Sequence, residues 1–251
     1  MRIINIIIYK LLRYPHLIVK CIRRAFFETK IKDCKKIPIV INNRNHCSYL
    51  KKLVTFLENK GYFNIIILDN DSSYQPLLDY YKELPYRIIY LNKNLGYMAI
   101  NGCSLFDELK NSYYVYTDPD VLPVEDCPDD FLKHFMNIMK SDVFANKVGF
   151  SLKIDDLPDE YGKKQQVIAW EKQYWEKEVK PGVFSAKIDT TFALHRPNVL
   201  SSDLSGYGYF ARHYRTGYPY TARHLPWYEN SNNLPDEISY YYKNASTVNN
   251  W

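Results

Sequence analysis

The five cysteines, Cys21, Cys34, Cys47, Cys103 and Cys127, include no Cys-x-x-Cys pair. Neither a zinc site nor a disulfide framework is indicated, and a reducing, cytosolic setting is the default. Glycine-rich phosphate cradles are missing too: no Gly-x-x-x-x-Gly-Lys-Ser/Thr occurs, and no Gly-x-Gly-x-x-Gly follows the first strand-like run. P-loop and dinucleotide readings therefore lose their basis. Long apolar runs are absent, because Lys10, Arg13 and Lys20 interrupt every N-terminal window of about 20 residues, the length needed to span a bilayer. "INIIIY" is too short an apolar core for a signal peptide, and no small-residue cleavage site follows it. Repeats and low-complexity linkers do not appear.

What is present is a chain of 251 residues, 46% hydrophobic and 24% charged, long enough to bury a full core. Its net charge of +5 is unevenly spread. Residues 1–36 hold ten Lys/Arg against two acids, a net +8, and residues 37–251 hold 23 against 26, a net −3. At 100° per residue Ile7, Leu11, Tyr14, Ile18, Cys21, Ile22 and Ala25 share one side of a helix. Lys10, Arg13, Lys20, Arg23 and Arg24 take the other, and Pro15 divides the helix in two. Such an arm either lies on an anionic membrane through residues 1–30 or packs on the domain with a solvated basic face. The first choice makes the protein cytoplasmic and peripheral on the inner face of the cell membrane. The remainder, residues 37–251, reads as one domain.

Beyond the arm, strand and helix signals alternate. Strands are expected at 37–43, 63–71, 86–91 and 113–118, and helices at 48–61, 76–84 and 96–110, with Ser48 as an N-cap and Gly61 just past a helix end. Further on, 124–140 reads as a helix with its acids near the positive end and Phe131, Phe135, Ile138 and Met139 inward. Strands at 148–154 and 186–197 flank a helical 165–179 carrying Trp170, Tyr174 and Trp175, which either contact sugar or pack under a flap. This order predicts an α/β fold with a mainly parallel sheet covered by helices.

In such sheets ligands bind beyond the carboxyl ends of the strands. Polar clusters stand there: Asn42-Asn43-Arg44-Asn45, Asp69-Asn70-Asp71-Ser72-Ser73 and, in "YYVYTDPDVLP", Asp118-Pro119-Asp120. Two carboxylates one residue apart repel unless something positive sits between them. A divalent cation, Mn²⁺ or Mg²⁺, would hold them and bridge to substrate phosphates. The plainer reading of Asp-Pro is a turn, and that of Asp71 an Asx-turn with Ser73.

From Pro38 to Trp227 the chain resembles the GT-A nucleotide-diphosphosugar glycosyltransferases, particularly family 2-like bacterial enzymes of surface-polysaccharide synthesis. The resemblance lies in "IPIVINNRN", "IIILDNDSS", "NKNLGYMAINGC", "YTDPDV" and "ARHLPWY", in that order. It implies a GT-A (Rossmann-like) sheet sandwiched by helices and a nucleoside diphosphate sugar, with UDP as the nucleotide, as donor. A saccharide or lipid-linked molecule would be the acceptor. Residue by residue it implies that Asn42, Asn43 and Arg44 lie near the nucleotide and that Asp69 meets the uracil ring. Asp118 would contact ribose or a metal-bound water, Asp120 would bind metal and diphosphate, His224 would add a metal or phosphate contact, and Arg223 would face the diphosphate. Asp71 joins the donor set. No clear Glu-Asp stands at the distance after the donor-side strand where such enzymes usually carry a base, so Asp189 stands in for an inverting transfer, with Asp203 and Glu229 behind it.

Two other classes compete. A haloacid dehalogenase-like phosphohydrolase also places Asp-x-Asp after a strand, but on the first strand and with Thr or Val where Leu122 stands. A carbohydrate- or nucleic-acid-binding module would draw on the basic arm and the 16% aromatic content, but nucleic acid is disfavoured as a partner because the rest of the chain is net negative.

Overall fold

Why one sheet can be covered on both sides follows from the strand sequences. In β1 (Ile39–Asn43), β2 (Ile65–Asp69) and β4 (Tyr114–Thr117), every residue is buried. Successive side chains point to opposite faces. Ile39, Ile41, Ile65, Ile67 and Val115 accordingly enter one core, and Val40, Ile66, Leu68, Tyr114 and Tyr116 enter another. A computed structural model describes residues 28–189, 191–197 and 212–245, together with isolated helical positions at 15, 18, 19, 21, 22 and 26. Asp203 and most of the arm, Ile7, Leu11, Tyr14 and Ala25 included, lie outside the described residues.

The other strands are β3 (Arg87–Tyr90), β5 (Val121–Pro123), β6 (Ala145–Leu152), β7 (Glu178–Lys180), β8 (Val183–Ser185), β9 (Ala193–His195) and β10 (Arg212–His224). They form one sheet in the order β3-β2-β1-β4-β9-β6-β10-β8-β7, with β5 alongside β10. Strands β3, β2, β1 and β4 are mutually parallel, and β6 and β10 are parallel to each other. Strand β9 is inserted antiparallel between β4 and β6, and β5 and β8 run antiparallel to β10. The fold is thus the expected α/β, Rossmann-like one: a mixed sheet with mainly parallel strands, flanked by helices.

The larger core lies beneath α1 (Ser48–Asn59), α2 (Gln75–Glu83), α4 (Phe131–Ser141) and α5 (Lys164–Glu171). Helix α1 buries Leu50, Leu53, Val54 and Leu57, spaced one helical face apart, each contributing about 1.5–3 kcal/mol. Beyond its end Gly61 adopts a φ of +77°, the left-handed conformation expected of it. The second core is covered by a 3₁₀ segment, Gly96–Gly102, and the short α3 (Leu105–Leu109).

Several expectations need correction. The helix expected over 96–110 is broken, because Cys103 turns extended between the 3₁₀ turn and α3. The helix over 165–179 ends as α5 at Glu171 and continues through a 3₁₀ turn into β7. The acids of 124–130 precede α4, whose first turn contains none, while Phe131, Phe135, Ile138 and Met139 are buried as expected. Ser48 does not cap α1 by its own side chain. Its backbone N–H and hydroxyl both donate to Glu237, on α6 (Asp236–Asn244), an element with no clear sequence signal.

Candidate functional site

Parallel register sets the rim. Asn43 pairs with Asp69 across β1 and β2, and Ile41 with Thr117 across β1 and β4, so the polar tails of all three strands leave the sheet at one edge. There Asn42 Nδ2 donates to Asp118 Oδ1 and to the Gly96 carbonyl, both at 3.4 Å. Asn70 Nδ2 donates to the same carbonyl at 3.0 Å, and its Oδ1 accepts from the Leu95 N–H at 2.7 Å. The loop before the 3₁₀ turn is thereby pinned against the ends of β1 and β2.

Asp120 meets His224 because the end of β10 returns antiparallel to β5, pairing His224 with Val121. The Leu225 N–H donates to the Asp120 carbonyl at 2.8 Å, and Asp120 Oδ2 lies 3.4 Å from His224 Nε2. Burial alone would raise the Asp120 carboxyl, but His224, with His46 beyond it, outweighs burial and holds it below the ordinary carboxylate value. Burial alone would lower the His224 imidazole. Asp120 first, then Asp118 and Glu171, raise it instead. Asp120 and His224 therefore each favour the charged form of the other.

Around this pair sit buried polar atoms without a hydrogen-bond partner: Asn42 Oδ1, Arg44 Nε, His46 Nδ1, Asp120 Oδ1, His224 Nδ1 and Trp227 Nε1. Folded proteins satisfy the large majority of such atoms; others occur elsewhere in the sheet, on Asn146, Ser151 and His195 among them, but those beside Asp120 and His224 can all be met by one polar ligand at the strand ends. Aromatic rings line it. Trp227 lies 4.7 Å from the His224 ring and Tyr241 lies 4.3 Å from His46.

Helix α6 crosses this rim. Tyr240 bonds Ser73 at 3.0 Å, Glu237 lies 3.8 Å from His46, and the Asn244 carbonyl accepts from Arg44 Nη2 at 3.0 Å. The charges of Asp120 and Asp118 act on the Tyr241 phenol, which burial first of all raises.

The other sequence candidates divide. Asn43 turns inward, donating to Tyr81 Oη at 3.0 Å and to the His46 carbonyl at 3.1 Å. Tyr81 in turn donates to Asp69 Oδ2 at 2.9 Å, and Asp69 Oδ1 accepts the Ser72 N–H at 3.1 Å. Both oxygens of Asp69 therefore shape the β2 loop. Asp71 is exposed with a φ of +70°, and the Ser73 N–H goes to Asn45 Oδ1, not to an Asx-turn with Asp71. Arg223 does not join the rim: its guanidinium bonds Asp156 and Glu125, each at 2.8 Å, and rests on Tyr228. Period-two alternation explains this, since residues 223 and 224 face opposite sides of β10. Glu229 accepts from Tyr49 Oη at 2.9 Å. Asp189 is exposed, and its charge acts on Lys147 and Arg215.

Sequence reasoning missed the buried ion pair between Arg215 and Glu171, 3.0 Å apart. Burial raises the Glu171 carboxyl, partly offset by Arg215 and then His224. Glu171 sits within the aromatic segment, where Trp170 meets Tyr174 edge to face at 6.4 Å and Tyr174 stacks on Arg215 at 4.1 Å, while Trp175 packs on Phe184. His46 and Glu237 were also missed; His46 directly follows the first polar cluster, whereas Glu237 is distant in sequence from all three.

Among the described residues no group of three or more His, Cys, Asp or Glu side chains is arranged to hold a metal ion unaided. The partnerless Asp120 Oδ1 nevertheless fits a hard cation that takes one or two carboxylates and completes its shell with phosphate oxygens and water. Asp118 is the further donor at hand, and His224 becomes one on giving up the proton that its contact with Asp120 favours.

No family model and no curated protein matches this chain. Among solved structures, glucosyl-3-phosphoglycerate synthase from Mycobacterium tuberculosis, in complex with phosphoglyceric acid, is similar at a TM-score of 0.38 and 10% identity. The match covers 64% of this chain and 56% of that one. A likeness this loose carries no argument about activity.

Proposed function

We propose that the protein is a metal-dependent glycosyltransferase of GT-A type, moving a sugar from a nucleoside diphosphate, UDP, to a saccharide or lipid-linked acceptor in surface-polysaccharide synthesis. The reading is carried by one observation: Asp118 and Asp120 leave β4 at the strand's carboxyl end, with Asp120 Oδ1 buried and partnerless at a rim of similarly partnerless polar atoms. Mn²⁺ or Mg²⁺, when bound, supplies the positive charge that joins the aspartates to a diphosphate and supports the departing nucleoside diphosphate.

The chain's own residues then have distinct tasks. Asn42 holds Asp118 oriented through their 3.4 Å contact, leaving Asp118 to meet ribose or a metal-bound water. Asp120 is kept ionised by His224 and is ready to accept a cation. Arg44, with its Nε partnerless, is the rim cation that can face the diphosphate in place of Arg223. Asn43 and Asp69 act at one remove, shaping the loops on which the nucleotide would rest. Asp189, exposed, is the carboxylate that can take a proton from an acceptor hydroxyl in an inverting transfer.

A screen of nucleotide-sugars tests the proposal. Mn²⁺-dependent turnover of a UDP-sugar is the expected result. Release of phosphate from simple phosphate monoesters, with every nucleotide-sugar untouched, would instead assign Asp118 as the nucleophile of a phosphohydrolase.

A further inference from the structure

The described positions of the N-terminal arm are helical and exposed. Ile18 is 57% exposed, Val19 52%, Ile22 49% and Phe26 78%. At 100° per residue these four side chains fall within a single 100° arc, and the ring of Pro15, also exposed, falls within the same arc. Helices that pack on their own domain bury such an arc. Here it faces outward, so the packed-helix alternative does not account for it.

The chain rejoins the body just afterwards. Glu28 accepts from Arg196 Nε at 3.3 Å and from Tyr113 Oη, and Thr29 Oγ1 donates to the Asn111 carbonyl at 3.1 Å. These contacts sit at the amino end of β4, opposite the end that carries Asp118.

Charge identifies what would cover the arc. Residues 1–27 contain six Lys/Arg (Arg2, Lys10, Arg13, Lys20, Arg23 and Arg24) and no Asp or Glu, whereas residues 37–251 are net −3. An exposed apolar helical arc within a segment whose charges are all positive complements a surface that is both apolar and anionic. Among the described residues no helix is long and apolar enough to cross a membrane. We propose that the arm helix carrying Ile18, Val19, Ile22 and Phe26 lies in the interface of an anionic lipid bilayer, these four entering the headgroup–acyl boundary and the net positive charge of residues 1–27 drawing the arm to lipid phosphates. Attachment through Glu28 and Thr29 then holds the candidate site at the far end of β4 from the anchor. The proposal is independent of the reaction assigned to that site.

Co-sedimentation of the full chain with vesicles tests it, using phosphatidylcholine alone and phosphatidylcholine mixed with phosphatidylserine. Binding is expected only with the anionic mixture, weakening as salt is raised. The pair Ile18→Glu and Ile22→Glu should abolish it. The triple change Lys20→Gln, Arg23→Gln and Arg24→Gln should lower it by roughly 100-fold, from the loss of three positive charges. Because the triple change alters charge and not apolar surface, it keeps the test decisive even where the glutamate pair unfolds the protein. Equal binding to both vesicle types, or unchanged binding by a folded variant, overturns the proposal. So does self-association in solution that the glutamate pair abolishes, which would give the arc to a second copy of the chain.

Discussion

At the scale of single residues, Asp118, Asp120 and His224 acquire their meaning from what surrounds them. Asp120→Asn keeps the shape of the side chain but removes the charge that both His224 and a cation require. It is expected to weaken UDP–Mn²⁺ binding and turnover together. Asp189→Asn, which removes none of the groups at the Asp118–Asp120–His224 cluster, should leave nucleotide binding intact and lower transfer by about 10²–10⁴-fold, as loss of a positioned base does. Titration calorimetry alongside initial rates separates the two, and normal transfer by Asp189→Asn would eliminate Asp189 as the base. Lys147 offers a stability test outside the site. Burial pushes its ammonium down to about 8, with Asp189 opposing. In that range the unfolded chain binds a proton that the folded chain has released, so stability contributed through this group rises as pH climbs from about 8 to about 10.4. Lys147→Met is expected to raise the unfolding free energy at pH 7 by about 1–3 kcal/mol and to lose that advantage by pH 10. A Met variant less stable than wild type at pH 7 would contradict this.

At the scale of elements, α6 and the β6–β9 pair carry contacts that local sequence gives no hint of. Glu237 caps α1 from a point 189 residues further along the chain, accepting from Ser48 N at 2.9 Å. Burial would raise its carboxyl, but His46 and Ser48 hold it below the ordinary value. Its contribution is therefore present above about pH 4.3 and disappears as pH falls through its lowered folded value. Glu237→Gln should cost about 1–2 kcal/mol at pH 7 and almost nothing in strong acid, measured by denaturant unfolding across pH. The same change should loosen α6 over the rim, seen as faster amide exchange in 236–244. Gly149 in β6 leaves no room for a side chain, since a Cβ would stand 2.5 Å from the Phe192 carbonyl oxygen. Gly149→Ala is expected to destabilise by about 1–3 kcal/mol, because backbone and not a flexible side chain must yield.

At the scale of the whole molecule, binding should couple to folding. If the rim takes a diphosphate through a cation, UDP with Mn²⁺ raises the unfolding free energy by about 2.7 kcal/mol at a hundredfold excess over the dissociation constant. UDP with chelator should do far less, and an equal shift in a thermal scan under both conditions would remove the metal bridge from the proposal. The sequence alone determined the α/β alternation up to β4, since short apolar and aromatic runs next to amphipathic helices admit few other arrangements. It also placed Asn42, Asp118 and Asp120 at one edge, because parallel strands send their carboxyl ends the same way. The later half was less legible. Strand β10 carries Arg212, His213, Arg215, Arg223 and His224, which mask its strand character, and α6 is polar with only Glu237 and Ile238 buried. Tertiary structure alone decided that His224 meets Asp120 while Arg223 turns to Asp156, that the two oxygens of Asp69 are taken up by Ser72 and by Tyr81 of α2, and that Arg215 pairs with Glu171. Each of those outcomes depends on which face of a strand a residue occupies and on what a distant segment brings opposite it, and neither is encoded in the spacing of neighbouring residues.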